Sequence, residues 1–591
     1  MNNRWYSSVN ELKFLPVTTE ECSQLGWVEL DIIIVTGDAY IDHPAFGTAI
    51  IGRCLVANGF RVGVIAQPDW KSDHDFLRLG KPRLFFGVTA GNLDSMVNHY
   101  TAQRKIRSED AYSPEGKTGL RPDRATLVYT QRLKQLFKGV PVILGGIEAS
   151  LRRIPHYDFW SDKVRNSVLL DSKADLLIYG MAEKTVLKVA KILDTGISIR
   201  ELNDIPGTVT TVSELPAEAI TLPDHELVDQ PDVFLEMNKI FHRENRFQTL
   251  YQKSGKRYLK HNRPEEPLSE EEIDAIYALP FSRKPHPIYK NKHIPAFEQI
   301  KTSITSHRGC FGGCNFCSLN YHQGKYIQSR SKQSILRETE ILKKQDYFHG
   351  TISDIGGPSA NMYGMECRDL ECRRNSCIYP VICEKLDTSH RRYIKLLEEI
   401  SNLPRINNVY VASGVRTDLA LKNKKFIELL VKNHTGGRLK IAPEHKSDKV
   451  LRLMNKPSFS TYQEYLKLFG QYSQSCSLKY ILTPYIMVGH PGTSINDAID
   501  LALYLKENNL KLKQIQEFTP TPMTISSCIY YTGRDFNTGE KIYVPKGREV
   551  RLQKAIAQWF FPENRKYVIE ILKKAQKNYL LSVFLESDPP K

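Results

Sequence analysis

Short apolar runs alternate with helix-compatible segments along the first part of the chain. Each run ends at glycine, proline or an acidic residue, as the strands of a buried sheet commonly do. The runs are ELDIIIVTGDAY (29–40), RVGVIAQ (61–67), RLFFGVTAG (83–91), VPVILGG (140–146) and ADLLIYG (174–180). This alternation predicts that residues 1–220 form a doubly wound α/β domain, with helices on both faces of a parallel sheet.

The residues that follow these strands are candidates for a ligand site, because ligands of such sheets bind at the carboxyl ends of the strands. Glycine at a strand end is more often a requirement of the turn itself, so both interpretations stay open. The candidates are Gly37, Asp38, Gly145, Gly146, Glu148 and Gly180.

Residues 221–294 lack this pattern and are predicted to be a connecting region with some helix and no strands. The segment KSGKRYLKHNRPEEP (253–267) is strongly basic and contains Tyr258. Such a run could contact nucleic acid, although basic runs more often form a solvated face.

The alternation of strands and helices returns over residues 295–530. The strand-like segments are EQIKTSITS, YFHGTISDIGG, NNVYVASG, GRLKIAPEH, SLKYILTPYIMVGHPG and LKLKQIQEFTPTP. Six strands with intervening helices predict a full or partial β/α barrel, whose chemistry gathers at the carboxyl ends of the strands. Residues 531–591 are predicted to be a mainly helical extension.

Composition narrows the class of protein. With 41% hydrophobic and 25% charged residues the chain is predicted to be globular. We find neither a signal peptide nor an apolar run of about 20 residues, so we expect a cytoplasmic protein without a membrane partner. The net charge of +16 favours polyanionic partners such as RNA.

Three cysteines stand close together in SHRGCFGGCNFCSLN (306–320), directly after the first predicted barrel strand. A reducing compartment favours metal binding or catalysis over disulfides, and soft thiolates favour zinc or iron-sulfur clusters. Three ligands on a four-iron cluster would leave one iron open, whereas zinc would need a fourth ligand such as His307 or His322. The three are Cys310, Cys314 and Cys317.

The order C-F-G-G-C-N-F-C, with Phe316 before the last cysteine, resembles the C-x-x-x-C-x-aromatic-C signature of radical S-adenosylmethionine enzymes. The resemblance implies that the three cysteines hold a 4Fe-4S cluster whose open iron binds S-adenosylmethionine. Reductive cleavage would then yield methionine and a 5′-deoxyadenosyl radical. The protein supplies binding and orientation for this chemistry.

Further segments are similar to cofactor-binding motifs of the same superfamily. DIGGPSANMYG resembles its Gly-Gly-Glu motif, although Pro358 replaces the acidic residue. YVASGVRTD and IAPEH offer polar side chains after the third and fourth strands, and MVGHPGTS resembles the segment beside the adenine. The residues that the resemblance implies are Gly356, Gly357, Ser413, Arg416, Glu444, His445, Gly489 and Gly492.

Five longer segments together resemble the YgiQ family of radical S-adenosylmethionine proteins. They are TGDAYIDHPAFGTAIIGR, AQPDW, GGIEASLRR, GGPSANMYGMEC and FTPTPMTISSCIYYTG. Membership implies the fold and the cofactors but no settled substrate. We expect a reductant such as flavodoxin or ferredoxin and, from the basic charge, RNA or a ribosomal component as substrate.

A second cysteine group, CRDLECRRNSCIYPVIC, lies in a predicted insertion over residues 360–385. Its spacings of four, four and five intervening residues lack the two-residue knuckle of common zinc sites. An auxiliary iron-sulfur cluster, a structural zinc and unmetallated thiols are the three interpretations. The group comprises Cys367, Cys372, Cys377 and Cys383.

Two alternatives to this function remain. The N-terminal pattern resembles cobalamin-binding domains, but DHPAFG (42–47) lacks the spacing of the Asp-x-His-x-x-Gly motif, so we do not expect His43 to bind cobalt or the enzyme to need cobalamin. The other alternative is a non-catalytic iron-sulfur protein that senses redox state or acts as a scaffold.

Overall fold

A computed structural model describes residues 12–367, 369, 371–476 and 481–585. Outside the described residues lie 1–11 of the predicted N-terminal domain, 368 and 370 of the cysteine-rich insertion, 477–480 of the segment SLKYILTPYIMVGHPG, and 586–591 of the C-terminal extension.

The first part of the chain forms one mixed sheet of nine strands and two short antiparallel pairs, β2–β13 and β6–β7. The strands are β1 Ile32–Thr36, β2 Ile41–Asp42, β3 Val62–Ala66, β4 Phe85–Thr89, β5 Val142–Leu144, β6 His156–Asp158, β7 Lys163–Arg165, β8 Leu176–Ile178, β9 Thr208–Val212, β10 Ile220–Leu222, β11 Leu250–Ser254, β12 Arg257–His261 and β13 Lys284–Pro285. The sheet order is β10-β11-β12-β9-β8-β5-β4-β1-β3. Its parallel half, β3-β1-β4-β5-β8, consists of the five predicted strands.

Helices cover both faces of the parallel half, as the alternation predicts. Ile32 and Ile34 of β1 pack on one face with Gly47–Ala57 and Glu183–Asp194, whereas Ile33 packs on the opposite face. The period of two in a strand sends successive side chains to opposite faces, so a continuous apolar run marks a strand buried on both. The other helices of this part are Thr19–Gln24, His74–Leu77, Ser95–His99, Ala125–Leu136, Gly146–Leu151, Val168–Ser172, Pro231–Glu244, Glu270–Tyr277 and Pro295–Ile300.

The expectation that the connecting region has no strands is wrong. β10, β11 and β12 extend the sheet, with β12 antiparallel to both β11 and β9. Polar residues hide this hairpin in the sequence: Lys260 is buried but pairs with Asp204, and Tyr258 is only half-buried. The division into four segments stays a prediction.

The second part carries six parallel strand positions in chain order, as predicted. The strands are β14 Ser303–Thr305, β15 His307–Arg308, β16 Gln328–Ser329, β17 Thr351–Ile352, β18 Asp354–Gly356, β19 Asn408–Val409, β20 Arg438–Glu444, β21 Ile481–Val488 and β22 Gln516–Glu517. β14 pairs with β18, β17 with β19, and β20 with β21, which pairs with β22. A parallel bridge between Val415 and Ile441 joins the third and fourth positions. All carboxyl ends therefore meet at one mouth.

Helices surround the barrel and form the C-terminal extension. One of them, Phe459–Ser475, has no counterpart among the predicted elements. Leu552 and Val568 of the extension pack into the barrel core. None of the described helices is long and apolar enough to cross a membrane. The helices of this part are Leu319–Gln323, Lys332–Leu342, Arg391–Ser401, Thr417–Ala420, Lys424–Asn433, Asp448–Leu453, Phe459–Ser475, Ile495–Glu507, Ile525–Thr532, Arg548–Ala557, Arg565–Lys574 and Leu581–Leu585.

Candidate radical S-adenosylmethionine site

The three-cysteine loop is closed at its base by the antiparallel pair β15–β16. Gly309 has φ +87°, and a Cβ there would lie 2.0 Å from the Tyr326 carbonyl oxygen, so only glycine fits. The Cys310 amide donates to the Gly324 carbonyl (3.1 Å) and the Cys317 amide to the Cys314 carbonyl (3.1 Å). The second bond closes a turn that carries Cys314 and Cys317, and the first bond ties Cys310 to the far end of the loop.

Neighbouring elements hold the loop in place on two sides. The Asn315 amide donates to the Met454 carbonyl (3.0 Å), and the Ser526 amide donates to the Asn315 carbonyl (2.9 Å). On the other side Ser376 of the insertion donates to the Gly312 carbonyl (2.8 Å). The second cysteine group therefore packs directly against the first.

Burial raises the pKa of the Cys310 thiol to about 11 and that of Cys317 to about 12, and the neighbouring Cys314 adds to both shifts. The positive charge of Arg416 opposes the rise in the pKa of Cys310, and its guanidinium also donates to the Cys314 sulfur at 3.5 Å. The Gly312 amide likewise donates to the Cys310 sulfur at 3.4 Å. Thiols in this position need a cation to become thiolates, which a metal supplies.

This donor set fits an iron-sulfur cluster. Zinc requires sulfurs about 2.3 Å from one ion. The two candidates for a fourth zinc ligand already have partners, since His322 contacts Ser150 (3.0 Å) and His307 contacts Ser306 (2.9 Å). A four-iron cluster places each thiolate on a separate iron and so needs no fourth protein ligand.

The second barrel strand brings two predicted positions together and adds one that the sequence analysis missed. A Cβ at Gly356 would lie 2.0 Å from the Ser413 hydroxyl, and one at Gly357 would lie 2.6 Å from the His307 ring. Ser413 donates its hydroxyl to Asp354, whose other carboxylate oxygen accepts the Ser413 amide (3.0 Å). Burial raises the pKa of the Asp354 carboxyl.

Arg416 is fixed by a buried ion pair with Asp418 (2.6 Å) and by a hydrogen bond from its amide to Asn361 (2.9 Å). Burial alone would lower the pKa of this guanidinium, but Asp418 and the cysteine sulfurs raise it. Glu444, at the end of β20, is buried 3.9 Å from Lys456, and burial raises the pKa of its carboxyl. Its φ of +66° is unusual for a non-glycine residue.

The remaining predicted positions have structural partners. A Cβ at Gly489 would meet Val550 at 2.7 Å, and one at Gly492 would meet Leu453 at 2.3 Å, so both glycines allow close packing. His445 is buried, and burial lowers its pKa to about 4. The cofactor roles of Gly489, Gly492 and His445 stay predictions.

Two cavities adjoin the cysteine loop. The larger, about 650 Å³, lies between the N-terminal part, the loop and the cysteine-rich insertion, and Gly313 and Asn315 line it. The smaller, about 430 Å³, lies between the first sheet and the barrel, where Gly357 lines it. Of the N-terminal candidates, Asp38, Gly145, Gly146 and Gly180 line the smaller cavity.

The other two N-terminal candidates have structural roles. Glu148 accepts hydrogen bonds from the amides of Ser95 (2.8 Å) and Thr126 (3.0 Å), so this carboxylate ties loops together beneath the strand ends. A Cβ at Gly37 would lie 2.4 Å from the Ala90 carbonyl oxygen, which accounts for glycine there.

Comparisons with known proteins agree with this architecture. Residues 14–303 match the Radical SAM N-terminal family, residues 304–505 the Radical SAM superfamily, and residues 513–583 a domain of unknown function. TsrM, a radical S-adenosylmethionine methyltransferase from Kitasatospora setae with tryptophan and a SAM analogue bound, has a TM-score of 0.51 at 13% identity over 90% of this chain and 89% of that chain. This likeness shows the fold.

Sequence relatives extend over nearly the whole chain. A UPF0313 protein of Geobacter sulfurreducens is 47% identical over 574 residues, covering 95% of both chains. The UPF0313 protein YgiQ of Escherichia coli K12 is 44% identical over 649 residues, covering 98% of this chain and 88% of the relative. Identity at this level over this length means that the chain belongs to the YgiQ family of radical S-adenosylmethionine enzymes.

Proposed function

We propose that Cys310, Cys314 and Cys317 hold the 4Fe-4S cluster of the superfamily and that the barrel mouth holds S-adenosylmethionine. When bound and reduced, these groups supply a 5′-deoxyadenosyl radical that abstracts a substrate hydrogen. The proposed electron donor is a small reductant such as flavodoxin or ferredoxin. The proposed cofactor-binding residues are Gly356, Gly357, Ser413, Arg416, Glu444 and Gly489.

The chain's own residues favour ligand binding at this mouth. Arg416 places a positive charge 3.5 Å from the Cys314 sulfur, which suits an anionic ligand-bound centre at this position. Asp418 keeps the guanidinium in that position. Because side chains would collide at Gly356 and Gly357, only backbone groups of this strand end can face a ligand.

The proposed substrate is an unpaired nucleotide of RNA, and the observation that carries this is Arg153 in the larger cavity. Its buried guanidinium donates to His261 (2.8 Å) and to the Ser150 carbonyl, and it lies 4.5 Å from the Tyr179 ring centre. Within the described residues it forms no ion pair with a carboxylate, and burial lowers its pKa to about 10. A buried cation without a counter-ion is costly, so a ligand phosphate would stabilise it.

The rest of the cavity wall suits a nucleotide. The Phe247 ring lies within cation–π distance of the guanidinium groups of Arg246 (5.2 Å) and Arg373 (4.8 Å), and single-stranded nucleic acids bind where aromatic rings and cations are combined in this way. A volume of about 650 Å³ is that of a small-ligand site and excludes a duplex. Single-stranded RNA with one base turned into the cavity meets both conditions.

RNA binding can be tested by fluorescence anisotropy with labelled single-stranded and duplex RNA. We expect Arg153→Met to weaken single-strand binding roughly 10- to 100-fold, the effect of losing one charged hydrogen bond. Arg548→Met removes an equal charge from a surface ion pair with Glu570 (2.7 Å) and should change binding less than about twofold. Equal binding by wild type and Arg153→Met, or preference for duplex, would reject an RNA substrate in this cavity.

The cluster assignment has its own test, the release of 5′-deoxyadenosine by reconstituted protein. We expect Cys310→Ala, Cys314→Ala and Cys317→Ala to abolish it, because each thiolate would hold a separate iron. Cys476→Ala removes a thiol outside both groups and should not change it. Normal release by any of the first three variants would contradict the assignment.

A second candidate function, cobalamin-assisted radical chemistry, is favoured by the smaller cavity alone. This cavity of about 430 Å³ lies at the strand ends of the first sheet and faces Gly357. His43 does not line it, so cobalt would bind without that histidine. Titration with hydroxocobalamin, followed by its visible absorption, separates the two functions. Saturable binding supports the second candidate, and an absence of binding rejects it.

A further inference from the structure

We infer that the second cysteine group holds an auxiliary iron-sulfur cluster beside the substrate cavity. Its four cysteines are Cys367, Cys372, Cys377 and Cys383, and none forms a disulfide. The inference adds a metal centre to the site proposed above and does not depend on the identity of the substrate.

The first argument is the irregularity of the insertion. Between the end of the short helical turn at Met362 and the helix that begins at Arg391, the described residues form neither helix nor strand. Loops longer than about 12–15 residues without their own secondary structure are uncommon in compact domains. A metal centre supplies the missing constraint, because metal binding contributes directly to folding.

The second argument is the closeness of the sulfurs to one another. The Cys383 amide donates to the Cys377 carbonyl at 2.7 Å, which brings the last two cysteines onto one turn. The Cys377 thiol is buried and within electrostatic range of the other three cysteines. The other three cysteines are therefore all neighbours of Cys377.

The third argument is charge. A cluster held by four thiolates is anionic and needs cations nearby. Lys325 is buried with its ammonium 3.7 Å from the Cys372 sulfur and 2.6 Å from the Arg374 carbonyl oxygen. Arg246 is largely buried and donates to the same carbonyl (3.2 Å). Neither cation has a carboxylate partner in the described part of the chain, so an anionic centre would neutralise charges that otherwise stay unpaired.

Iron is favoured over zinc because the spacings of four, four and five intervening residues lack the two-residue knuckle of common zinc sites. The group also shares a hydrophobic cluster with the first: Cys377 packs with Phe311, and Cys310 packs against the same cluster.

The test is metal analysis of the anaerobically reconstituted full chain, with iron, zinc and sulfide measured per protein. We expect about eight irons in the wild type and about four in Cys310→Ala/Cys314→Ala/Cys317→Ala, with an electron paramagnetic resonance signal retained by that triple variant. Adding Cys372→Ala should remove the remaining signal, whereas adding Cys476→Ala, a matched thiol change elsewhere, should leave it. Circular dichroism of all variants controls for folding.

Three results would overturn the inference: one zinc and no iron in the triple variant, no metal there, or an unchanged signal after Cys372→Ala. Any of them leaves 5′-deoxyadenosine release by the wild type untouched, so failure here is distinguishable from failure of the proposed function. A second measurement avoids deletion of ligands altogether. Lys325→Met should shift the reduction potential of the triple variant's centre to a more negative value, because a nearby cation stabilises the reduced form.

Discussion

Ser413→Ala should destabilise the protein in a pH-dependent way. The Ser413 hydroxyl donates to one oxygen of the half-buried Asp354 carboxylate, while the other oxygen accepts the amides of Ala412 (2.7 Å) and Ser413 (3.0 Å). The substitution removes the hydroxyl and leaves both amides. Among the described residues the first oxygen has no other donor.

The expected loss in the free energy of unfolding depends on whether the Asp354 oxygen that accepts the hydrogen bond is charged. A hydrogen bond to a charged group contributes about 1.5–3 kcal/mol, against about 0.5–1.5 kcal/mol for a neutral one. Burial already holds the pKa of Asp354 above its usual value, and the Ser413 hydrogen bond opposes that shift. A carboxyl whose pKa is raised in the folded state lowers the free energy of unfolding as pH rises from its unfolded pKa through its folded pKa. Below the unfolded pKa it has no such effect. The loss should therefore be full at neutral pH and shrink as pH falls.

Urea denaturation followed by tryptophan fluorescence, at about pH 8 and about pH 5, measures this difference. Ser303→Ala is the matched control. Ser303 lies on the first barrel strand, and its hydroxyl donates to the neutral carbonyl of Ile300 (2.8 Å). For the control we expect the smaller loss of a neutral hydrogen bond, about 0.5–1.5 kcal/mol in the free energy of unfolding, at both pH values. An equal, pH-independent loss for Ser413→Ala would refute the argument that its hydroxyl stabilises an ionised carboxylate.

Two further predictions concern the cysteine loop. Gly309→Ala should lower the iron content of reconstituted protein severalfold, because its Cβ would lie 2.0 Å from the Tyr326 carbonyl oxygen. Gly324 has a similar φ (+84°) but open space at its Cβ position, so Gly324→Ala should only lower the free energy of unfolding by about 1–2 kcal/mol. Equal iron content in both variants would contradict this. Arg416→Gln should lower the free energy of unfolding by about 3–5 kcal/mol, because it leaves Asp418 buried without its ion-pair partner. Thermal denaturation measures this loss, and a wild-type melting temperature would contradict it.

The sequence predicts the parallel strands well because their residues carry the signal locally. Ile32–Thr36 is buried on both faces, so an unbroken apolar run marks it without reference to any partner. The hairpin of β11 and β12 carries a weaker signal, since its buried Lys260 is satisfied by a distant Asp204. The dipeptide Ser254-Gly255, with Gly255 at φ +59°, is the turn signal that could have located it.

The candidate site likewise contains residues that a local sequence pattern reveals and residues that it does not. Cys310, Cys314 and Cys317 are recognisable because their spacing is local. Asp354 is not, because its partner Ser413 lies 59 residues away in sequence and only the parallel pairing of barrel strands brings the two together. Glycine motifs are ambiguous for a related reason: Gly489 is required by Val550, which belongs to the C-terminal extension.

The N-terminal part of the chain packs directly against the cysteine loop. Arg308, at the base of the cysteine loop, forms a buried ion pair with Glu183 of that part of the chain. His322 contacts Ser150 across the same boundary (3.0 Å) and lines both cavities. Separating the two parts would leave buried charges unpaired and open the wall that carries Arg153. The N-terminal part and the barrel therefore share the walls of both cavities that adjoin the cysteine loop.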